Sequence, residues 1–391
     1  MAGVEKPYRV YRGGRVKGKV PLERRPERSP AGNGRAPVKP KIVRPRRRWS
    51  WKKRIVIGVL VLLLLIVIWS VAGFLSFRSG VQAANKRLPA SVRATLTKQG
   101  GLILTKPTTI LLLGLDHANT DQRVTDFHSD SIMLLRTDPS HHRLAYLSIP
   151  RDLRVAIPGH GEQKINAAFQ YGGAALAIRT IEGLTGRALA VNHVMFVDFA
   201  SFKKLIDAVG GIDINVPEPI LSNKFDCPYD AQRCQAWKGW RFAKGRQHMD
   251  GRRAEIYSRI RENQLNPSDS DITRGERQQA VVRATEAKLL GFSTFFKLPF
   301  SGGDYVKPLT TDLSAWQFVQ LGWVLKRAPA SKALHCRLGG VGDPNGTSDI
   351  IGGPENVSVI GMVTGQSAPQ PPPPGSGQFG PGCVVGNASF G

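Results

Sequence analysis

The longest apolar run in the chain covers residues 55–77, IVIGVLVLLLLIVIWSVAGFLSF, and holds no charged residue. At a rise of about 1.5 Å per residue its 23 positions make roughly 35 Å of helix, enough to cross a bilayer with slight tilt. Beyond it the pattern breaks into shorter segments. Residues 108–114 form an apolar run ending in glycine, as in a buried strand. Residues 131–137 and 143–150 predict two further strands, with Asp138-Pro139 turning between them as a hairpin. Residues 166–183 carry apolar side chains at helical spacing, with Asn166 as N-cap. A strand at 193–198, a helix at 199–209 stopped by Gly210-Gly211, and a strand at 212–216 follow. Strands alternating with helices predict an α/β fold, and the hairpin makes the central β-sheet mixed, with helices flanking it.

Charge orients the apolar run. Arg46, Arg47, Arg48, Lys52, Lys53 and Arg54 crowd its upstream side. Residues 1–54 hold 19 Lys/Arg against Glu5, Glu23 and Glu27, a net of +16 out of the chain's +26. So basic a segment stays in the cytoplasm, which predicts a single-pass protein of the cell membrane with everything after Arg78 outside. A cleaved signal peptide ending near Val81-Gln82-Ala83 competes with this, but the apolar run and the tail before it are both too long. The tail is rich in Pro, Gly and Arg and lacks the apolar surface to fold alone, so it is expected to be disordered. Its charge suits anionic membrane lipid, and no nucleic-acid partner is expected. The expected organisation is a tail at 1–54, a transmembrane helix at 55–77 and a partly helical stalk at 78–105. A globular α/β domain at 106–300, a Gly-rich extension at 301–366 and a Pro/Gly-rich tail at 367–391 follow.

Cys227, Cys234, Cys336 and Cys383 all fall outside the membrane in this topology. An even number in an oxidising compartment favours two disulfides. Of three connectivities we favour Cys227–Cys234 with Cys336–Cys383; the second ties back the C-terminal tail and stabilises by about 4 kcal/mol. A zinc site is the alternative, although no CxxC spacing supports it.

Two acids stand out by position: Asp116 after the first strand and Asp130 before the second. Carboxylates at strand ends can hold a hard cation, although either alone reads as a turn former. Arg151 lies just past a strand. Arg259 and Arg261, two apart, share one face of an extended segment. Residues 271–279, DITRGERQQ, open a helix with Thr273 and Glu276 in capping-box spacing. Arg274, Arg277 and Gln278 then share a face near its positive N-terminal end. Each arginine could simply pair with Glu255, Glu262, Asp269 or Asp271. Taken as a set with the two acids, they point to an anion-plus-metal site, since guanidinium forks suit phosphate oxygens.

The stretches ILLLGLD (110–116), SDSIMLLR (129–136), LSIPRDLRVAIPG (147–159), KINAAFQYGG (164–173), VDFASFKKLIDAVGGIDINV (197–216) and MDGRRAEIYSRIREN (249–263) with DITRGERQQ (271–279) resemble the LytR-CpsA-Psr family of membrane-anchored cell-wall proteins. The Arg-heavy composition and basic tail look actinobacterial. The resemblance implies a transferase that moves a glycopolymer 1-phosphate from a polyprenyl-pyrophosphate carrier onto peptidoglycan, assisted by Mg²⁺ (or Mn²⁺). By resemblance, Asp116 and Asp130 match the metal-associated acids, and Arg151, Arg259, Arg261, Arg274 and Gln278 the pyrophosphate contacts. Asp116, Asp130, Arg151, Arg259 and Arg261 form the implied catalytic set, with either acid as base. Family members often carry Arg where this chain has Ala118, so either Arg123 substitutes from the loop or one phosphate contact is missing. The prenyl tail needs an apolar groove, for which Phe169, Phe196, Phe199 and Phe202 are candidates if they are not ordinary core. Two other functions fit: a non-catalytic regulator sensing a lipid-linked intermediate, and a pyrophosphatase that hydrolyses the donor.

Overall fold

Alternation along three long strands sets up two apolar faces, and the helices cover both. The structure, a computed structural model, describes residues 8–10, 19–21, 50–116, 128–267, 271–376 and 379–386. The chain divides into two units, residues 1–58 and 59–391. In the first, Tyr8–Val10 pairs antiparallel with Lys19–Pro21; the rest of the tail expected to be disordered, up to residue 49, lies outside the described residues.

Helix α1 (Trp51–Lys86) contains the whole apolar run and is long and apolar enough to cross a membrane. The second unit continues with α2 (Ala90–Thr95), β1 (Thr108–Asp116), β2 (His128–Asp138), β3 (Arg143–Ile149), α3 (Ala167–Leu184), β4 (His193–Asp198), α4 (Phe199–Ala208) and β5 (Ile212–Val216). Then come α5 (Ala231–Ala236), β6 (Gly245–Met249), α6 (Gly251–Arg259), α7 (Asp271–Leu289), α8 (Phe292–Val306), β7 (Thr310–Thr311), α9 (Ala315–Arg327), β8 (Leu334–Arg337), α10 (Glu355–Thr364) and β9 (Gly382–Val385).

Seven strands form the central sheet in the order β7-β4-β1-β2-β3-β8-β9. The β1–β2–β3 meander is antiparallel, whereas β4 runs parallel to β1 and β8 parallel to β3, so the sheet is mixed as expected. Leu111, Leu134 and Leu147 pack on one face with Ile178 of α3 and Val359 of α10. Ile110, Met133 and Tyr146 pack on the other with Leu321 and Val324 of α9. The strand predicted at 212–216 forms outside this sheet, in a two-stranded ribbon with β6.

Several local expectations need correction. Residues 78–105 are partly helical as expected but do not stand off as a stalk: Val81, Ala84, Leu88 and Val92 are buried, because α1 continues to Lys86 and packs on the domain. Asn166 precedes α3 but makes no side-chain cap, since its backbone is already helical. Thr273 lies inside α7, which begins at Asp271, and so is not its N-cap. The boundary expected at residue 300 falls within α8, and β7, β8 and β9 beyond it belong to the central sheet. Both expected disulfides form. Cys336 and Cys383 face each other across β8 and β9, and Cys227 bonds Cys234.

Candidate active site

Between the sheet and helices α7, α8 and α9 lies a cavity of about 600 Å³. Leu112, Met133 and Leu135 of the sheet line it, facing Val281, Val282 and Leu289 of α7, Leu298 of α8 and Phe318 of α9. Arg274 and Gln278, in the first turns of α7, line one end, and Leu289 and Leu290 line the other. From Arg274 to Leu289 is 15 residues, which at helical rise puts the two ends about 22 Å apart. The cavity is therefore a long apolar groove with a cationic mouth. The mouth also meets the N-terminal, positive end of the α7 dipole.

Arg259 and Arg261 reach the same mouth from α6 and the residues after it. Sequence reading placed both on an extended segment; instead Arg259 is the last residue of a helix. The Asp250 side chain accepts from the Arg253 N–H at 2.7 Å and starts that helix, and burial of Ala254, Ile256 and Tyr257 holds it. Gly251 packs so closely on α4 that a Cβ there would lie 2.3 Å from the Lys203 carbonyl oxygen. The Arg259 guanidinium donates to Glu255 at 2.9 Å and also contacts Asp226. Its Cζ lies 4.6 Å from the centroid of the Phe199 ring and 5.4 Å from that of Phe225. Gln278 Nε2 lies 3.5 Å from the Ser258 carbonyl, which ties α7 to the end of α6.

Arg151 sits next door. It lines a small pocket of about 50 Å³ that shares Ser131, Arg274 and Gln278 with the mouth. Its Nε lies 3.2 Å from Asp152, which Lys164 also approaches at 3.1 Å. The structure thus gathers Arg259, Arg261, Arg274 and Gln278 around one opening and sets Arg151 in the pocket adjoining it. Arg277, read on the same helical face, turns inward and donates to the Ile260 carbonyl at 2.6 Å. Of the candidate phenylalanines, Phe199 and Phe202 line the groove, whereas Phe169 and Phe196 border a separate surface cavity.

For the two acids the backbone is informative and their side chains lie outside the described ones. Asp116 ends β1 opposite His128. Asp130 is the extra residue of a β-bulge, skipped between the pairs Gly114–Ser131 and Leu115–Ser129. Asp130 directly precedes Ser131 and Asp116 follows Gly114 by two residues, and Gly114 and Ser131 both line the cavity. Ala118 and Arg123 lie outside the described residues. Among the described residues no cluster of three or more His, Cys, Asp or Glu could hold a metal.

Sequence reading missed Arg337, which lines the small pocket beside Arg151 and Arg274. It is 7% exposed and its Nε donates to the Gly380 carbonyl at 2.7 Å. Burial pulls its guanidinium down to about 10, so it stays cationic at neutral pH. It ends a four-residue strand whose parallel pairing sets it beside Ser148, a placement with no signal in the sequence. Also missed was Glu286, deep in the groove, which accepts from the Tyr146 hydroxyl. Burial raises both groups, so both favour their protonated forms.

The teichoic acid transferase TagU of Enterococcus faecalis, named as a polyisoprenyl-teichoic acid–peptidoglycan enzyme, is 33% identical over 190 residues, 48% of this chain and 56% of its own. Bacillus subtilis TagV, named likewise, is 30% identical over 249 residues, 62% of this chain and 59% of its own. The chain thus spans little more than half the length of these curated relatives. The crystal structure of B. subtilis TagV superposes with a TM-score of 0.54 at 25% identity, covering 67% of this chain and 97% of that one. TagT bound to LIIa-WTA has the same fold, with a TM-score of 0.52 at 24% identity, covering 69% and 95%. Residues 76–353, more than half of the chain and both walls of the groove, match the LytR_cpsA_psr family, and the chain belongs to it.

Proposed function

We propose that this chain is a membrane-anchored phosphotransferase that moves a glycopolymer 1-phosphate from a polyprenyl-pyrophosphate carrier onto peptidoglycan. The observation that carries this reading is the joining of a long apolar groove to a mouth lined by Arg259, Arg261, Arg274 and Gln278. A long hydrocarbon chain gains by leaving water for such a groove, and its pyrophosphate then meets the arginines at the end. The names of TagU and TagV, which specify a polyisoprenyl-linked donor and a peptidoglycan acceptor, support the same donor and acceptor classes here.

In the reaction an acceptor hydroxyl attacks the sugar-linked phosphorus. A new P–O bond forms, the bridging P–O bond breaks, polyprenyl phosphate leaves, and the hydroxyl proton is lost to a base. Arg259 and Arg261 bind the pyrophosphate and offset the charge that grows on the leaving phosphate. Arg274 and Gln278 orient it at the N-terminus of α7, and the apolar walls exclude water that would otherwise hydrolyse the donor. Asp116 and Asp130 have the oxygen chemistry that Mg²⁺ (or Mn²⁺) prefers, and the bound ion would supply further charge neutralisation. Either acid could instead take the acceptor proton. In this reading α1 spans the membrane, with the basic tail cytoplasmic and the domain outside, so donor and enzyme meet in one plane.

The test is incubation of the full chain, reconstituted in vesicles, with lipid-linked glycan and peptidoglycan. A covalent polymer–peptidoglycan product is the expected result. Free sugar phosphate would instead make the protein a hydrolase, and no product at all would leave a regulator.

A further inference from the structure

Helix α8 has two apolar sides, and only one is accounted for. Its inner side supplies Leu298 to the groove and buries Tyr305 and Val306. On its outer side Phe292, Phe296 and Phe300 recur every fourth residue and are 78%, 51% and 83% exposed. The 15 residues 289–303, LLGFSTFFKLPFSGG, contain one charge, Lys297. Aromatic rings in a row on one helix face mark a surface meant for an apolar partner.

The contacts of α8 with α1 identify that partner. The Trp69 and Phe296 rings lie 5.8 Å apart. A Cβ on Gly73 would meet the Leu298 Cβ at 3.3 Å, and one on Gly80 would lie 2.3 Å from the Gly303 carbonyl oxygen. Small residues that let helix backbones approach this closely are the usual packing device of membrane helices. Trp69 stands nine residues before Arg78, the first charge after the apolar run, so it lies about 14 Å below it along the helix axis. Whatever touches Trp69 shares that depth. On α9, Trp316, Val319 and Trp323 form a second exposed stripe, 57%, 44% and 58% exposed. Here α9 meets the same corner, since a Cβ on Gly322 would touch Leu290 and Phe318 packs edge-on against Phe77. Tryptophan pairs of this kind suit the headgroup boundary.

We propose that the corner between α7 and α8, residues 289–300, is immersed in the outer leaflet of the bilayer, and that the donor's prenyl chain enters the groove there, sideways from lipid. Leu289, Leu290, Thr294 and Leu298 line the apolar end of the groove at this corner, opposite the arginine mouth. The chain then passes from bilayer to protein without crossing water. This inference rests on the proposed membrane span of α1 and on the polyprenyl donor.

The test places an environment-sensitive fluorophore on a single introduced cysteine in the full chain, reconstituted in vesicles containing lipids with quenchers at known depths. The sites are Leu65→Cys in the span, Phe292→Cys and Phe300→Cys on α8, and Val357→Cys on α10 across the sheet. Quenching at the first three and none at the last is expected. Quenching at Leu65→Cys alone, with both α8 sites behaving like Val357→Cys, overturns the immersion and leaves the anchor standing. An unquenched Leu65→Cys removes the anchor and the proposal together. For the entry route, Phe292→Asp with Phe300→Asp should raise KM for a long-prenyl donor in vesicles at least about tenfold, as a charge in lipid would, and spare a short soluble donor. Equal KM values for both donors in wild type and variant would refute sideways entry.

Discussion

Arg259 Nη1 lies 2.9 Å from Glu255 Oε1, one helical turn earlier on α6, and this pair aims the guanidinium into the groove mouth. Glu255 is 6% exposed and also meets Lys203 at 3.3 Å, so it is held between two cations. Glu255 itself does not line the groove, so its role there is to position Arg259. Charge-assisted contacts of about 1.5–3 kcal/mol predict that Arg259→Ala or Arg261→Ala lowers kcat roughly ten- to hundredfold with the fold intact. Glu255→Gln should cost less and should chiefly raise KM. Steady-state transfer assays with circular dichroism as a fold control decide this, and near wild-type turnover by a folded double arginine variant would refute the role.

Arg337 should behave as a further member of the cationic set. Arg337→Gln keeps much of the volume and one donor but loses the charge beside Arg151 and Arg274. We expect a roughly tenfold loss in kcat/KM, the worth of about 1.4 kcal/mol, with a smaller loss for Arg337→Lys. Equal kinetics for wild type and Arg337→Gln would assign this side chain to packing alone.

Filling the groove should separate lipid binding from headgroup chemistry. Val282 lines it one turn beyond Gln278. Val282→Trp is expected to abolish transfer from a long-prenyl donor while a short-prenyl donor retains most of its rate. Parallel loss with both donors would mean that the mouth had been disturbed.

Acid stability should follow His335. Its ring stacks on Tyr146 with centroids 5.0 Å apart, and its Nδ1 lies 3.2 Å from Arg283 Nη1. Burial first, and Arg283 second, push the imidazole down to about 3. On acidification the unfolded chain takes up this proton near pH 6.5 and the folded chain only near 3. Stability therefore falls as pH drops through that window, by up to about 1.4 kcal/mol per unit. Glu286 contributes with the opposite sense: its carboxyl is raised by burial, so its contribution is full at low pH and lost as pH rises through the raised value. Urea midpoints of the detergent-solubilised chain across pH should show a shallower acid limb for His335→Gln. Identical slopes would rule His335 out as the source.

The disulfide between β8 and β9 closes a 47-residue separation and the Cys227–Cys234 bond one of seven. Loop-closure entropy gives about 4 and about 2 kcal/mol respectively. Replacing Cys336 and Cys383 together by Ser should therefore lower Tm more than replacing Cys227 and Cys234. The reverse order in a thermal melt would count against this account.

The membrane-length run, the strands around residues 110, 134 and 146, and the family's motifs could all be read in the sequence, because each is a local pattern. An uncharged apolar stretch or an alternating strand states its own preference without knowing its neighbours. The set Arg151, Arg259, Arg261, Arg274 and Gln278 was likewise visible as residue types near element ends, although the segment carrying Arg259 was misread as extended. There the cap at Asp250 and the burial of Ile256 and Tyr257 outweigh the weak helix preference of the β-branched and aromatic residues. Only the tertiary structure decided that Arg337 joins the site, since a four-residue strand finds its partner 189 positions back at Ser148 through backbone hydrogen bonds that leave no periodic trace. It alone also decided that one groove runs from the arginines to α8, because a cavity belongs to the space between elements and to no single one of them.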